Sequence, residues 1–154
     1  MFPDMTNTEP STTAQALIQF ELLNNMVLPH LYRKFLLAVN GGRPVSKVFQ
    51  IHGLPLNEFG EVNFLFGVGA EFPANDLSNV CAWFAGRIPP NFLPIADNGG
   101  VDYICLDLRG GLDKVVYWSH AHFWSTGEWR ESDLYPIADS FEKFLNSLSL
   151  RRLQ

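Results

Sequence analysis

The order of elements along this chain predicts an α+β fold. Two observations carry it. Helical periodicity clusters at the two ends, and short runs of β-branched and aromatic residues, bounded by turn formers, fill the middle. This is not the repeated βαβ order that builds a parallel sheet.

Taken in order, residues 1–11 (MFPDMTNTEPS) are polar, contain Pro3 and Pro10, and read as a flexible tail. A first helix is expected from Thr12, which stands at capping-box spacing from Gln15. Ala16, Leu17, Phe20 and Leu23 then fall at helical spacing. Pro29 suits a first helical position, because its missing N–H needs no partner there. Leu28, Leu31, Tyr32, Phe35, Leu36 and Val39 form the stripe of this second helix. Asn40-Gly41-Gly42 stops it, since glycine takes a left-handed cap without a side-chain clash. KVFQIHG and EVNFLFGV follow as strands. NDLSNVCAWFAG is ambiguous, with Asp76 placed to cap a short helix. RIPPNFLPIADNGG is a proline-stiffened loop running into a strand at residues 93–96. VDYICLDL, KVVYWS, HFW and LYPIA read as further strands joined by tight turns. The last helix begins near Ser140, with Phe141, Phe144, Leu145 and Leu148 at i, i+3, i+4 and i+7.

The totals narrow the function classes. A chain of 154 residues suits one domain, and 47% apolar residues suffice for a core without disulfides or metal. The formal charge of −5 repels phosphate backbones, which argues against direct nucleic-acid binding and favours a basic protein as partner. Cys81 and Cys105 stand far apart in apolar contexts, in no metal-like spacing, and read as buried free thiols of a reducing compartment. The N-terminus lacks the pattern of a signal peptide, and no run of about 18 apolar residues offers a membrane span. The expectation is a cytoplasmic protein.

Two glycine pairs bracket the stretch NGGVDYICLDLRGG, residues 98–111. A phosphate loop needs a helix after its glycines, yet strands follow both Gly99-Gly100 and Gly110-Gly111. A metal loop needs converging oxygens, yet Asp102 and Asp107 fall on opposite faces of one strand. The glycines are therefore turns around a strand.

Four stretches carry a family resemblance: LPHLYRKFLLAVNGG (28–42), RIPPNFLPIADNGGVDYICLDLRG (87–110), KVVYWSHAH (114–122) and IADSFEKFLNSL (137–148). In this order they resemble the SUKH superfamily, in particular its Smi/Knr-like members. The resemblance implies a central, mostly antiparallel sheet flanked by N-terminal and C-terminal helices, with residues 12–150 as a single SUKH-like domain. It also implies a non-enzymatic, cofactor-free role in protein binding. Bacterial members are mainly immunity proteins that neutralise a cognate polymorphic toxin; a fungal relative regulates cell-wall synthesis through protein partners. Two departures stand out. The acidic residue after the turn glycines is displaced by one, to Asp102, and Ser119 stands where the family usually carries an acidic residue.

Two chemical candidates remain. His120 and His122, with Glu128 nearby, would face one way on a strand and could share zinc in a small metal-dependent hydrolase, given a third ligand. The plainer reading is a turn or edge strand in which His120 packs beside Trp118 and its ring bonds to backbone, with no metal. Neither Ser119 nor Ser125 lies in a nucleophile elbow. The segment from Tyr117 to Trp129 is dense in aromatics. Trp124 and Trp129, with Glu128, Glu131 and Asp133 beside them, are the candidate partner-binding residues, since tryptophan supplies hot-spot area and carboxylates suit a basic toxin. The leading reading is an immunity protein that covers its toxin's active site; the alternatives are a regulatory scaffold for endogenous proteins and the hydrolase. Oligomeric state is not legible in the sequence.

Overall fold

The computed structural model describes residues 2–53 and 58–150. In chain order, β1 (Met5–Thr6) is followed by helices α1 (Ala14–Asn24) and α2 (His30–Ala38). The short strands β2 (Arg43–Pro44), β3 (Val48–Gln50), β4 (Phe59–Glu61) and β5 (Phe64–Leu65) lead to α3 (Leu77–Phe84). Then come β6 (Phe92–Asp97), β7 (Tyr103–Asp107), β8 (Lys114–Trp118), α4 (Ala121–Thr126), β9 (Leu134–Ala138) and α5 (Phe141–Ser147). Strands β5 to β9 form one antiparallel sheet in sequence order, while β1–β2 and β3–β4 form two-stranded antiparallel ladders. The architecture is α+β, as the sequence predicts.

Both faces of the main sheet are covered, which is why its central strands read as nearly unbroken apolar runs. Residues opposed across a ladder share a face. Ile104 opposes Tyr117 and Leu106 opposes Val115; on the other face Tyr103 opposes Trp118 and Cys105 opposes Val116. The Ile104–Tyr117 face receives Phe49, 6.3 Å from Tyr117, with Phe144 of α5 5.9 Å beyond it. The Tyr103–Trp118 face receives α3 and α4: the Phe84 ring is 5.1 Å from both Tyr103 and Trp118, and Phe123 is 5.2 Å from Trp118. The ladder register shifts between Pro94 and Ala96, and Ile95 turns its carbonyl to Phe66 N at 2.8 Å instead.

The helix ends follow local chemistry with three corrections. Thr13, not Thr12, caps α1, its hydroxyl accepting from Ala16 N at 3.1 Å. Leu17 and Phe20 are buried as expected, but Leu23 is 83% exposed, so the expected α1 stripe is cut short. Pro29 stands at the cap of α2, not inside it. Asp76 caps α3 by accepting from Asn79 N at 3.1 Å, and Ser140 caps α5 by accepting from Lys143 N at 3.1 Å. Phe141, Phe144 and Leu145 are buried, as their spacing requires.

Asn40-Gly41-Gly42 does more than stop a helix. α2 already ends at Ala38, with Val39 extended. Gly42 then exchanges both backbone hydrogen bonds with Leu65, at 2.9 and 2.8 Å. Gly41 (φ 78°) is pressed so close to β5 that a Cβ there would stand 2.5 Å from Leu65 O. The buried Asn40 amide donates to Pro10 O and Val68 O, both at 2.8 Å, and accepts from Val68 N at 2.9 Å. Asn40 thereby gives a partner to the segment that composition reads as a flexible tail. Over residues 2–11 the segment is held: β1 pairs with β2, Phe2 packs on Phe35 at 5.5 Å, and Pro10 meets Asn40. Backbone groups that polar composition assigns to solvent are paired by partners thirty or more residues away; Met1 lies outside the described residues.

Three substitutions test this packing. Gly41→Val should lose about 3 kcal/mol or more, from backbone strain plus a clash with fixed backbone. Gly110→Val, at φ 69° but in open space, should lose only about 1–2 kcal/mol. Phe144→Ala should lose about 3–5 kcal/mol by emptying the core. Urea unfolding of the three variants checks the order.

Candidate interaction surface

The aromatic segment is a helix where the sequence reads a strand. β8 ends at Trp118, and a side chain from elsewhere then redirects the chain. Asp102, in the turn before β7, accepts His120 N through Oδ1 at 2.7 Å and the Tyr117 hydroxyl through Oδ2. Asn98 fixes this turn, its Oδ1 accepting from Gly100 N at 2.8 Å and Asp102 N at 3.1 Å, its Nδ2 donating to Tyr117 Oη at 3.1 Å. The glycine-bracketed stretch is therefore a built turn. α4 then forms, with Trp124 N donating to His120 O at 2.9 Å and Gly127 closing it at φ 73°. Three residues, His-Phe-Trp, are too few for periodicity to separate strand from helix, and Asp102 decides it.

This geometry separates the two histidines. His120 is fully buried, its ring 4.2 Å from Trp118, 4.9 Å from Phe123, 5.3 Å from Tyr103, 5.4 Å from Trp124 and 5.6 Å from Phe84. The backbone bond expected of the ring is not made: neither ring nitrogen has a hydrogen-bond partner among the described residues. His122 is half-buried in the first turn of α4, its Nε2 3.2 Å from Thr126 Oγ1. The strand geometry that would aim both rings at one metal does not exist. Among the described residues, no group of three or more His, Cys, Asp or Glu side chains is arranged to hold a metal. Burial holds the His120 imidazole below its ordinary pKa, although Asp102 pulls it upward.

The five candidate partner-binding residues separate as well. Trp124 is 65% exposed, standing on the buried His120 ring. Trp129 is half-buried, 5.0 Å from both Phe92 and Trp118, and belongs largely to the core edge. Glu131 is exposed but paired with Arg109 at 2.6 Å; Arg109 also lies over the Phe92 ring at 4.8 Å and binds Asp107 at 2.8 Å. Burial pushes the Asp107 carboxyl up, but the hydrogen bonds and charge of Arg109, with Lys114, more than offset this and hold it below the usual carboxylate range. Asp133 is buried and grips Arg130 through both oxygens, at 2.7 and 3.1 Å. Of the three carboxylates, only Glu128 has no ion pair among the described residues, so Trp124 and Glu128 are the pair presented outward.

Sequence reasoning missed a second exposed tryptophan. Trp83 on α3 is 51% exposed. The signal was present: Leu77, Val80 and Phe84 face inward at i, i+3 and i+7, which turns Trp83 to the outside. Of the two cysteines, Cys81 lies on α3 itself and Cys105 on β7. Burial, with a lesser push from Asp76, raises the half-buried Cys81 thiol to about 12, and burial raises Cys105 as well. Both are therefore protonated and unreactive at neutral pH.

The chain belongs to the SMI1 / KNR4 family (SUKH-1), whose profile matches residues 11–147. A Bacillus subtilis (strain 168) protein, the SPbeta prophage-derived uncharacterized protein YokK, is 34% identical over 76 residues, which are 48% of this chain and 35% of that one. The chain thus spans about a third of the length of the curated relative it matches. A protein of known crystal structure from Pseudomonas syringae pv. tomato superposes with a TM-score of 0.49 at 20% identity, over 77% of this chain and 75% of that one. Among the described residues no helix is long and apolar enough to cross a membrane.

His120 makes stability pH-dependent. Above the unfolded value of about 6.5 both states hold a neutral imidazole and stability is complete. As pH falls below it, the unfolded chain takes a proton that the folded chain refuses, and stability drops until the lower folded value is reached. Between pH 7.5 and 5.5 the urea midpoint of the wild type should fall more than that of His120→Phe. Equal falls would mean that the folded chain protonates His120 freely.

Proposed function

We propose that the protein is a non-enzymatic binding domain, an immunity protein that covers the active site or substrate groove of a cognate toxin. The observation that carries protein binding is Trp124, a large aromatic left 65% exposed on a helix that is itself locked from below. A rigid exposed tryptophan supplies contact area at little entropic cost, and such residues dominate binding energy where they occur. Membership of the SMI1 / KNR4 family supports a role through protein contact. The toxin as partner rests on the family resemblance, and its basic character on the net charge of −5.

In this reading Trp124 is the anchor and Glu128 the steering charge. Trp129, Glu131 and Asp133 support them: Trp129 braces the segment on Phe92, Glu131 engages Arg109 and Asp133 engages Arg130. The test is binding kinetics with the cognate toxin at two salt concentrations. Trp124→Ala should mainly raise the off-rate, at a cost of about 2 kcal/mol or more. Glu128→Lys should mainly lower the on-rate and weaken its salt dependence. Wild-type kinetics in both variants, with cells still protected, would place the interface elsewhere.

A further inference from the structure

α1 is apolar on two faces. Leu17 and Phe20 bury its inner face, but Ile18, Leu22 and Leu23, 50%, 76% and 83% exposed, stand on its outside, and Val27 just beyond its end is 81% exposed. Helices apolar all round are ordinarily covered, and contiguous apolar patches of several hundred Å² mark interaction sites. A hollow runs along each flank of this ridge. One, of about 410 Å³, lies between the end of α1 and the segment after α3; Leu23, Met26, Phe84, Ile88 and Phe92 line it. The other, of about 400 Å³, lies between α1 and α2 and is lined by Ile18, Leu22, Val27 and the Glu21–Arg33 pair.

We propose that this face joins two copies of the chain about a twofold axis, the α1 ridge of each seated in a hollow beside the α1 of the other. Two features select a second copy over another partner. The first is shape: ridge and hollows adjoin on one surface, so the face complements itself, as a twofold contact requires and as ridge-into-groove helix packing achieves. The second is charge. Among the described residues, Glu21 and Arg33 are the only charged side chains lining either hollow, and they are bonded to each other. Glu21 also accepts Leu28 N at 2.7 Å, so the carboxylate is committed within its own chain. The face is locally neutral in a chain of net charge −5. A basic protein gains nothing there, whereas a copy of the same neutral apolar surface meets no repulsion at contact.

Sedimentation equilibrium of the full chain, from about 1 to about 100 µM, tests this, because subunit contacts are read through protomer concentration. The wild type should be a dimer at the upper end. Leu22→Glu would set two carboxylates against an apolar contact and should weaken self-association at least ~10-fold. Leu22 points to solvent, so the variant should keep the wild-type circular dichroism; if it does not, Leu22→Gln replaces it. Trp124→Ala should dimerise as the wild type does, because Trp124 lines neither hollow. A wild type that is monomeric throughout overturns the proposal and leaves the face to a different protein. Undiminished dimerisation of a folded Leu22 variant overturns it too, by moving the contact off α1.

Discussion

The carboxylate of Asp102 is the constraint on which the functional end of the molecule depends. One oxygen takes the backbone N–H of His120, the other the hydroxyl of Tyr117. The first bond turns the chain out of β8 and starts α4; the second ties that turn to the sheet face opposite α4. With it, Trp124 has a fixed helix to stand on and His120 a closed space to fill. Hydrogen bonds to a charged acceptor are among the stronger ones, and one carboxylate holding groups from both faces couples them. Burial and Asp102 both raise the Tyr117 pKa, so its hydroxyl stays protonated as the donor this arrangement needs.

The displaced position of that carboxylate gains a physical meaning here. Residues on a strand alternate faces, so moving the acidic residue one place along the chain would aim it the other way. Asp102 lies on the same side as Ile104, whose ladder partner is Tyr117, and from there it reaches the Tyr117 hydroxyl. The two asparagines play matching parts at the two ends of the sheet. Asn98 fixes the turn that presents Asp102. Asn40, with three amide hydrogen bonds, binds the N-terminal segment and the chain beyond β5 to the end of α2.

Net charge and local charge tell different stories in this protein. The carboxylates that make the aromatic segment look like an acidic patch are mostly engaged, Glu131 and Asp107 with Arg109, Asp133 with Arg130. Among the exposed aromatic and aliphatic area, two places stand out: Trp124 beside Glu128, and the outer side of α1. The first suits a partner of opposite charge; the second is neutral and suits an apolar one. Screening by salt acts on the first and hardly on the second.

The sequence by itself determined the α+β class, the capping roles of Asp76 and Ser140, the burial of Phe141, Phe144 and Leu145, and the turn character of the two glycine pairs. All of these rest on interactions within a few residues or on a period that local spacing displays. Tertiary structure alone decided three matters. Residues 2–11 are held because Arg43, Pro44 and Asn40 supply partners that no composition reveals. His-Phe-Trp became helix because Asp102, eighteen residues earlier, captures the N–H of His120. The candidate surface kept Trp124 and Glu128 outward and drew Asp133 inward because Arg130 neutralises it there. In each case the deciding group is distant in sequence or its effect depends on burial, and neither is written in local periodicity.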